Sequence, residues 1–454
     1  MSTVSLSYQQ RPVEPSLFRA LALAACLLAA CAEPGPRPLV FAVGGAPAEL
    51  AVWEEITRDF SRQHGVPVEL LRQPSDTGQR RQALVVALAA GQADPDVFLM
   101  DVAWLGLFAA SGWLAPLDGQ VDETVFFEDI VARADTHRGR LVALPVYVDG
   151  GVLYARKDLL AAFGIPRPPG TWEELRAQAA FVQQRMRSVQ PDFFGFVWQG
   201  AQYEGLICNF LEFAGSRGGF VEEAGRLRLD TPANRAAVSF MRGLVREPGV
   251  SPPSTYTEMK EEETRAFFES GKALFERNRP YAWPLHQRAG SAVRGKTLIC
   301  PLPRAAAGGA VSTLGGWHIG VSRFSDAKAA ALAFVRHVTG RGAQAQLALR
   351  LGWNPGRKDL YEDAGIVAKA PHLPVLAEVF RSARPRPAVP YYNQVSGVAQ
   401  RAINAVLAGK RDTAPALSGA QAEIDVLVER YGPRPSRQES AAAVRHSRAG
   451  GLDR

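Results

Sequence analysis

The chain has 454 residues, of which 47% are hydrophobic and 21% charged, a composition typical of a water-soluble globular protein. Single hydrophobic cores stop growing well below this length, so we expect two or more domains or one large two-lobed unit. The formal net charge is +7, yet the basic residues are spread along the chain, with no arginine- or lysine-rich block interleaved with aromatics. This pattern argues against nucleic-acid binding, and we attribute the charge to solvated surface arginines.

The start of the chain has the pattern of an export signal. The apolar run Ala20–Ala30 follows two arginines, and its length suits the core of a signal peptide but is too short for a helix to span a bilayer. The run ends in Leu-Ala-Ala-Cys, which resembles a bacterial lipobox. Residues 1–30 are therefore predicted to be a lipoprotein signal peptide, with lipidated Cys31 opening a Pro/Gly-rich tether over 31–38. An uncleaved anchor, or a chance occurrence of Leu-Ala-Ala-Cys, is the alternative.

Strands and helices alternate in the next part of the chain, which predicts parallel βαβ units. Short apolar runs with strand character are separated by segments whose apolar residues recur at helical spacing. The predicted elements are a strand at 39–43, a helix with Leu50, Trp53, Ile56 and Phe60 on its buried side, a strand at 66–71, a helix at 82–90 and a strand at 96–100.

Asp101 directly follows the last of these strands. Ligands of open α/β sheets bind beyond the carboxyl ends of the strands, so Asp101 is a candidate ligand contact. Aspartate is also a favoured N-cap, and capping of the predicted helix Val102–Ala110 is the alternative role.

The stretch Ala143–Leu160 is predicted to cross from one lobe to another. Tyr147 and Asp149 are two residues apart, so on an extended segment both side chains project from the same face. Gly150 and Gly151 follow, and glycine allows the backbone conformations that other residues avoid. We expect a flexible crossing whose polar face lines a cleft.

The remainder of the chain alternates predicted helices with irregular aromatic segments. Helix start signals occur at Thr171, which has capping-box spacing to Glu174, and at Thr231-Pro232. Tryptophan or tyrosine occurs among glycines and prolines in Asn278–Pro284, Leu314–Val321 and Arg384–Gly397. After Gly432 the chain is polar without apolar periodicity, so residues 433–454 are expected to be a disordered tail.

The cysteines that remain after removal of the signal peptide and lipidation of Cys31 are Cys208 and Cys300. In an exported protein these two thiols could form a disulfide. Two buried free cysteines are the alternative, since buried unpaired cysteine is common.

The sequence lacks the motifs of the common catalytic classes. It has no G-x-S-x-G elbow, no H-E-x-x-H, no P-loop and no G-x-G-x-x-G after a strand, and its histidines lack metal-ligand spacing. We therefore predict no metal, no cofactor and no enzymatic activity. A glycosidase is the alternative, because paired carboxylates can meet in space without a sequence motif. The carboxylates considered are Glu49, Asp101, Asp149 and Glu204.

Aromatic side chains with single carboxylates and arginines suit a sugar ligand. The flat face of tryptophan or tyrosine packs on the C–H face of a sugar ring, while carboxylate and guanidinium groups hydrogen-bond its hydroxyls. Helical Trp53, Trp104, Trp113 and Trp172 are expected to be core residues, whereas Trp283 and Trp317 lie in the irregular segments and are preferred as ligand contacts.

From about Leu39 to Gly432, the chain resembles the extracellular solute-binding proteins of bacterial sugar ABC transporters, in particular their trehalose/maltose-binding branch. The stretches that carry this resemblance are PDVFLMDVAWLGLFAASGWLAPLD, LPVYVDGGVLYARKDLL, GTWEEL, GFVWQGAQYEGLICNFLE, NRPYAW, LGGWHIGVS and PRPAVPYYNQVS.

The resemblance implies a type II periplasmic-binding-protein fold, in which two α/β lobes close on a sugar in the cleft between them. The lobes would be discontinuous, with 36–146 and 299–321 in the first and 150–296 and 324–432 in the second. Hinge passages would lie at the crossing above, near 299–303 and near 320–324. By position in the matching stretches, the resemblance assigns sugar binding to Glu49, Arg80 or Arg81, Asp101, Tyr147, Asp149, Trp283, Gly316, Trp317 and Arg386.

The resemblance also implies a function. The protein would be a monomer, held at the outer face of the membrane by its lipid, that captures an α-linked disaccharide such as trehalose or maltose. It would deliver the sugar to the transmembrane subunits of a permease driven by a cytoplasmic ATPase. An exported glycosidase and a chemosensory sugar-binding module on the same scaffold are the alternative functions.

Overall fold

The computed structural model describes residues 37–74, 76–219, 221–223, 226–247 and 249–432. The predicted signal peptide, Cys31 with most of the tether, and the predicted tail lie outside the described residues. Across the ranges that are described, no helix is both long and apolar enough to cross a membrane.

Two mixed β-sheets form the centres of two α/β lobes. The first has the strand order β2-β1-β3-β14-β6 and the second β12-β7-β11-β8, with three short two-stranded pairings beside them. The strands are β1 (Leu39–Gly44), β2 (Val68–Gln73), β3 (Val97–Asp101), β4 (Thr136–His137), β5 (Arg140–Leu141), β6 (Leu144–Asp149), β7 (Val152–Arg156), β8 (Phe194–Val197), β9 (Glu222–Glu223), β10 (Arg226–Leu227), β11 (Ala273–Asn278), β12 (Thr297–Cys300), β13 (Ser312–Thr313), β14 (Gly315–Val321) and β15 (Ala383–Arg384).

Helices cover the faces of both sheets. The α-helices are Pro47–His64, Thr77–Ala89, Leu105–Ala110, Glu128–Ile130, Lys157–Ala162, Trp172–Met186, Glu204–Gly215, Pro232–Arg246, Ser254–Thr257, Glu261–Glu269, Ala282–His286, Lys328–Val338, Arg341–Leu351, Ala364–Lys369, Leu373–Arg381, Tyr392–Leu407 and Thr413–Tyr431. Short 3₁₀ turns occur at Val102–Trp104, Glu123–Val125 and Lys358–Tyr361, and a π turn at Val131–Asp135.

The first lobe follows the alternation predicted from sequence. Strand β1 is buried along its whole length and pairs in parallel with β2 and β3. The helix Pro47–His64 packs Trp53, Ile56 and Phe60 against this sheet, because these residues recur at helical spacing and form one apolar face. The βαβ prediction for this region is confirmed.

The second lobe has the largest hydrophobic core. Its sheet pairs β7 antiparallel to β11 and β12, and β11 parallel to β8. Trp172 and Phe213 pack together in this core with ring centroids 4.0 Å apart. The helices Tyr392–Leu407 and Thr413–Tyr431 belong to the same core, so the carboxyl-terminal part of the described chain closes the second lobe.

The chain passes from the first sheet to the second at Gly150 and Gly151, because β6 ends in the first sheet and β7 begins the second. Neither glycine has a positive φ, so conformational freedom is not the reason for glycine here. A Cβ on Gly151 would instead collide with the buried ion pair of Glu212 and Arg277. Glycine is required at position 151 because a side chain would not fit there.

Two of the predicted boundaries between the lobes are wrong. Helices Lys328–Val338 and Arg341–Leu351 pack on the first sheet, where Phe334 lies 5.0 Å from Phe41 between ring centroids. The chain therefore does not leave the first lobe near 320–324, and the expected assignment of all of 324–432 to the second lobe fails over 328–351. Residues 297–300 form β12 of the second sheet, so the return to the first lobe also begins later than 299.

Cys208 and Cys300 are free thiols in the structure and do not form the disulfide that was the other alternative. Cys208 is buried in the helix Glu204–Gly215, whereas Cys300 is half-buried at the end of β12. Burial raises the pKa of both thiols, that of Cys300 to about 11.

Gly316 provides a test of the strand that joins β3 to β6. Its φ is +123°, and a Cβ there would collide with the carbonyl oxygen of Tyr147. We expect Gly316→Ala to lower the free energy of unfolding by about 2–4 kcal/mol, from backbone strain and overpacking together. Chemical denaturation measures the change. Gly243→Ala is the matched control, because Gly243 is helical with open space around it and should gain about 0.5–1 kcal/mol.

Candidate ligand-binding site

The register of β14 brings three of the predicted site residues side by side. β14 lies antiparallel between β3 and β6, and Trp317 is level with Asp101 on one side and with Tyr147 on the other. Gly315 is level with Asp149. Strands far apart in sequence thus place an aromatic pair and two carboxylates along one end of the first sheet.

Arg80 joins this group through Trp317. Its guanidinium carbon lies 4.9 Å from the centroid of the Trp317 ring, and its Nε donates to the carbonyl of Pro74 at 2.6 Å. Burial lowers the pKa of Arg80, against the opposing effects of Glu49 and Asp76. Glu49 accepts from the backbone N–H of Ala46 at 2.7 Å and so caps the start of the helix Pro47–His64.

Arg81 points elsewhere than Arg80 and reaches the other lobe. With the Asn393 amide oriented so that its oxygen faces Arg81, that oxygen accepts from both terminal nitrogens of the guanidinium, at 2.5 and 3.2 Å. Asn393 lies in the helix Tyr392–Leu407 of the second lobe. Sequence left open which arginine is nearer the site, and the structure gives them separate contacts, Arg80 with Trp317 and Arg81 across the lobes.

Asp101 has both of the contacts that sequence posed as alternatives. One carboxylate oxygen accepts from the backbone N–H of Ala103 at 2.8 Å and so caps the 3₁₀ turn that follows. The same oxygen lies 3.1 Å from Nη2 of Arg386, which belongs to the second lobe. The side chain remains 27% exposed, which leaves acceptor capacity for a ligand.

Arg386 connects Asp101 to Glu204, a residue that sequence considered only as a hydrolytic carboxylate. Nη1 of Arg386 lies 3.2 Å from Glu204, and the hydroxyls of Tyr392 and Ser396 each donate to Glu204 at 2.5 Å. The two carboxylates keep the pKa of Arg386 raised in spite of its burial. The only sequence signal for Glu204 was its place within a glycine- and aromatic-rich segment.

Asp149 is paired with a second arginine that sequence reasoning missed. Its carboxylate lies 3.3 Å from Nη1 of Arg279 and accepts from the N–H of Gly150 at 2.9 Å. Burial raises the pKa of Asp149, and Arg279 opposes that rise. Arg279 also contacts the Cys208 sulfur at 3.3 Å, so the cysteine lies beneath this ion pair.

Tyr147 lies level with Trp317 on the neighbouring strand, whereas Trp283 packs against His372. The Tyr147 ring packs 5.3 Å from Trp353, and burial raises the pKa of its hydroxyl well above the ordinary value. Trp283 packs against His372, with ring centroids 5.6 Å apart, at the edge of the core that contains Tyr361. Among the contacts of the described residues, none joins Trp283 to the other predicted site residues, so its role in ligand binding stays a prediction.

The described part of the chain contains no group of three or more His, Cys, Asp and Glu residues arranged to hold a metal ion. The carboxylates of the site are held by guanidinium or backbone N–H groups instead. This arrangement provides fixed hydrogen-bond donors and acceptors around partly exposed aromatic faces, which is the chemistry of reversible binding to a polar ligand.

The structure has two α/β lobes, with three or more passages of the chain between them and a polar, aromatic cluster where they meet. These features define a two-lobed solute-binding protein. Residues 44–345 match the sequence profile of the bacterial extracellular solute-binding proteins, and the chain belongs to this family. The predicted family and the predicted two-lobed fold are confirmed.

Individual relatives agree with this assignment. A probable ABC transporter-binding protein of Deinococcus radiodurans is 34% identical over 372 residues, which span 80% of this chain and 87% of the relative. Among solved structures, maltose-bound MalE3 of T. maritima is 36% identical with a TM-score of 0.74 and covers 86% of this chain and 99% of its own. The sugar-binding protein MalE of Xanthomonas citri has a TM-score of 0.75 at 22% identity, covers 87% of this chain and 98% of its own, and supports the fold.

The contact between Trp283 and His372 predicts a pH dependence of stability. Burial lowers the pKa of His372 to about 4, so between about pH 6.5 and pH 4 the unfolded chain binds a proton that the folded protein excludes. This contribution to stability is complete above about pH 6.5 and is lost as the pH falls towards 4. At about pH 5 we expect His372→Gln to remove about 2 kcal/mol of the acid destabilisation.

Urea denaturation of wild type and His372→Gln at about pH 7.5 and pH 5 measures this difference. The comparison cancels the carboxylates common to both proteins. Equal losses of stability in the two proteins between these pH values would show that His372 remains free to take up its proton in the folded state.

Proposed function

We propose that this chain captures an α-linked disaccharide such as trehalose or maltose by closure of its lobes, and hands it to the permease of an ABC importer. The observation that carries the proposal is the alignment of Trp317 with Tyr147 and Asp101 at the place where Arg386 reaches over from the second lobe. The 36% identity to maltose-bound MalE3 supports the choice of an α-linked glucose disaccharide. In this proposal Cys31 carries the lipid that holds the protein at the membrane.

The chemistry of the cluster fits a sugar better than a charged or apolar solute. Partly exposed Trp317 offers a flat face to one side of a pyranose ring, while Asp101 accepts hydrogen bonds from its hydroxyls. Most charges of the cluster are paired within the protein, as in the contacts of Asp149 with Arg279 and of Asp101 with Arg386. A neutral polyol therefore meets fixed dipoles without an uncompensated charge.

Closure follows from the way the charged contacts are shared between the lobes. Asp101 belongs to the first sheet, whereas Arg386 and Glu204 belong to the second lobe. A sugar that hydrogen-bonds Asp101 and Arg386 together stabilises the arrangement in which the lobes meet, and so shifts the population towards it. The permease would recognise the surface formed by the closed lobes.

Isothermal titration calorimetry of the purified protein with trehalose, maltose and sucrose tests the proposal. We expect a saturable heat with at least one of these sugars and a change in tryptophan fluorescence as Trp317 becomes covered. Incubation with the same sugar should release no glucose. No response to any of them would contradict the disaccharide assignment, and glucose release would favour the glycosidase.

Asp101→Ala and Trp317→Ala are each expected to weaken the binding of the responding sugar at least tenfold, equivalent to about 1.4 kcal/mol. Both residues offer partly exposed groups at the meeting point of the lobes, so their loss removes ligand contacts. Asp94→Ala is the matched control, since Asp94 is exposed and precedes β3 at the end opposite Asp101. Unchanged affinity in both site variants, with normal melting temperatures, would place the binding site elsewhere.

A further inference from the structure

A cavity of about 630 Å³ opens directly beside the proposed disaccharide site. Arg386 lines it together with Arg384 and Arg133, and small residues of the segments 309–311 and 385–388 leave room between them. Ligand-binding cavities typically have volumes of about 300–1,000 Å³. Arg386 also contacts Asp101, so this side chain belongs both to the lining of the cavity and to the polar cluster already described.

Two of the arginines that line the cavity have donors without an acceptor. Arg386 is buried, and its Nη atoms are taken by Asp101 and Glu204, but its Nε has no hydrogen-bond partner within the described residues. Nη1 of Arg384 also lacks a hydrogen-bond partner within the described residues and is itself buried, although the Arg384 side chain as a whole is 35% exposed. A buried donor that lacks an acceptor is costly, and more so when it belongs to a charged group.

The carboxylates nearby do not satisfy these donors. Asp129 lies 3.5 Å from Nη1 of Arg384 and 3.7 Å from Nε of Arg133, within ion-pair range but without a hydrogen bond to either donor. Glu222 is the one carboxylate among the described residues that line the cavity. Three guanidinium groups line the same space, although that of Arg386 is also paired with Asp101 and Glu204. The donors that lack a hydrogen-bond partner, Nε of Arg386 and Nη1 of Arg384, belong to two of these guanidinium groups.

We propose that this cavity takes a carboxylate-bearing sugar unit, and that the solutes of this protein include acidic saccharides with a uronate or aldonate group. The inference rests on the proposed function, because the acidic unit would be attached to the saccharide held at Trp317 and Asp101. A carboxylate accepts hydrogen bonds through both oxygens and matches the planar fork of guanidinium, whereas a sugar hydroxyl satisfies these donors less well. The cavity would therefore select ligands by the charge of the acidic unit, and the aromatic cluster would select them by contact with the sugar ring.

Two pairs of disaccharides test this selection, because each pair differs only in a carboxylate. Maltobionate, with a carboxylate on its open terminal unit, is compared with maltitol, and α-1,4-linked glucuronosyl-glucose is compared with maltose. The carboxylates lie at opposite ends, so either orientation of the bound sugar is covered. Calorimetry should show that at least one acid binds tenfold or more tightly than its neutral partner at about 50 mM salt, with a smaller advantage at about 1 M salt.

Arg384→Gln should reduce the acid-to-neutral affinity ratio to below about threefold, because it removes a charged donor and leaves a neutral one. Arg381→Gln is the matched control and should keep the ratio, since Arg381 lies on the same stretch of chain but lines a different cavity. Thermal melting of both variants shows whether they are folded.

The outcomes separate the two proposals. If the neutral sugars bind and both acids bind no more tightly, the acidic-saccharide inference is wrong and the disaccharide proposal stands. If an acid binds and its neutral partner does not, the inference is supported and the neutral disaccharide assignment is wrong. If none of the four sugars binds, the acidic-saccharide inference is rejected, and so is maltose as the solute in the disaccharide proposal.

Discussion

The candidate site depends on one constraint, the insertion of β14 antiparallel between β3 and β6. That register sets Trp317 level with both Asp101 and Tyr147, and a bulge follows between Trp317 and His318. On the far side of the bulge, Nδ1 of buried His318 lies 2.5 Å from the carboxylate of Asp135. The strand is therefore held by a polar contact in the interior next to Trp317, so the orientation of Trp317 follows from buried structure.

Local sequence patterns were sufficient for the parts of the fold that depend on local spacing. The helix with Trp53, Ile56 and Phe60 was predictable because its apolar residues repeat at 3.6-residue intervals, and Asp101 because it ends a buried strand. Boundaries between the lobes were less predictable. The helices over 328–351 could belong to either lobe by their own pattern, and only their packing against Phe41 and Phe60 assigns them to the first.

The electrostatic part of the site was predictable only in outline. Arg80 and Arg81 have the same chemistry and adjacent positions, so their separation depends on which face of the helix meets Trp317 and which meets Asn393. Sequence considered Glu204 only as a hydrolytic carboxylate and did not single out Arg279, because their contacts are with partners far away in sequence, Arg386 and Asp149. The resemblance to a family supplied most of the candidate site residues, but not the ion pairs in which Asp101 and Asp149 take part.

The late position of β14 has a consequence for the order of synthesis. Every strand of the second sheet, β7, β8, β11 and β12, leaves the ribosome before β14 does. Until then β3 lacks one neighbour, and β6 lacks the only strand it pairs with in the first sheet, so the first lobe cannot reach its native topology during most of translation. A chain that stays incomplete in this way can still be threaded through a narrow channel. For a member of an extracellular family, the strand order therefore keeps the first lobe incomplete while most of the chain is being made.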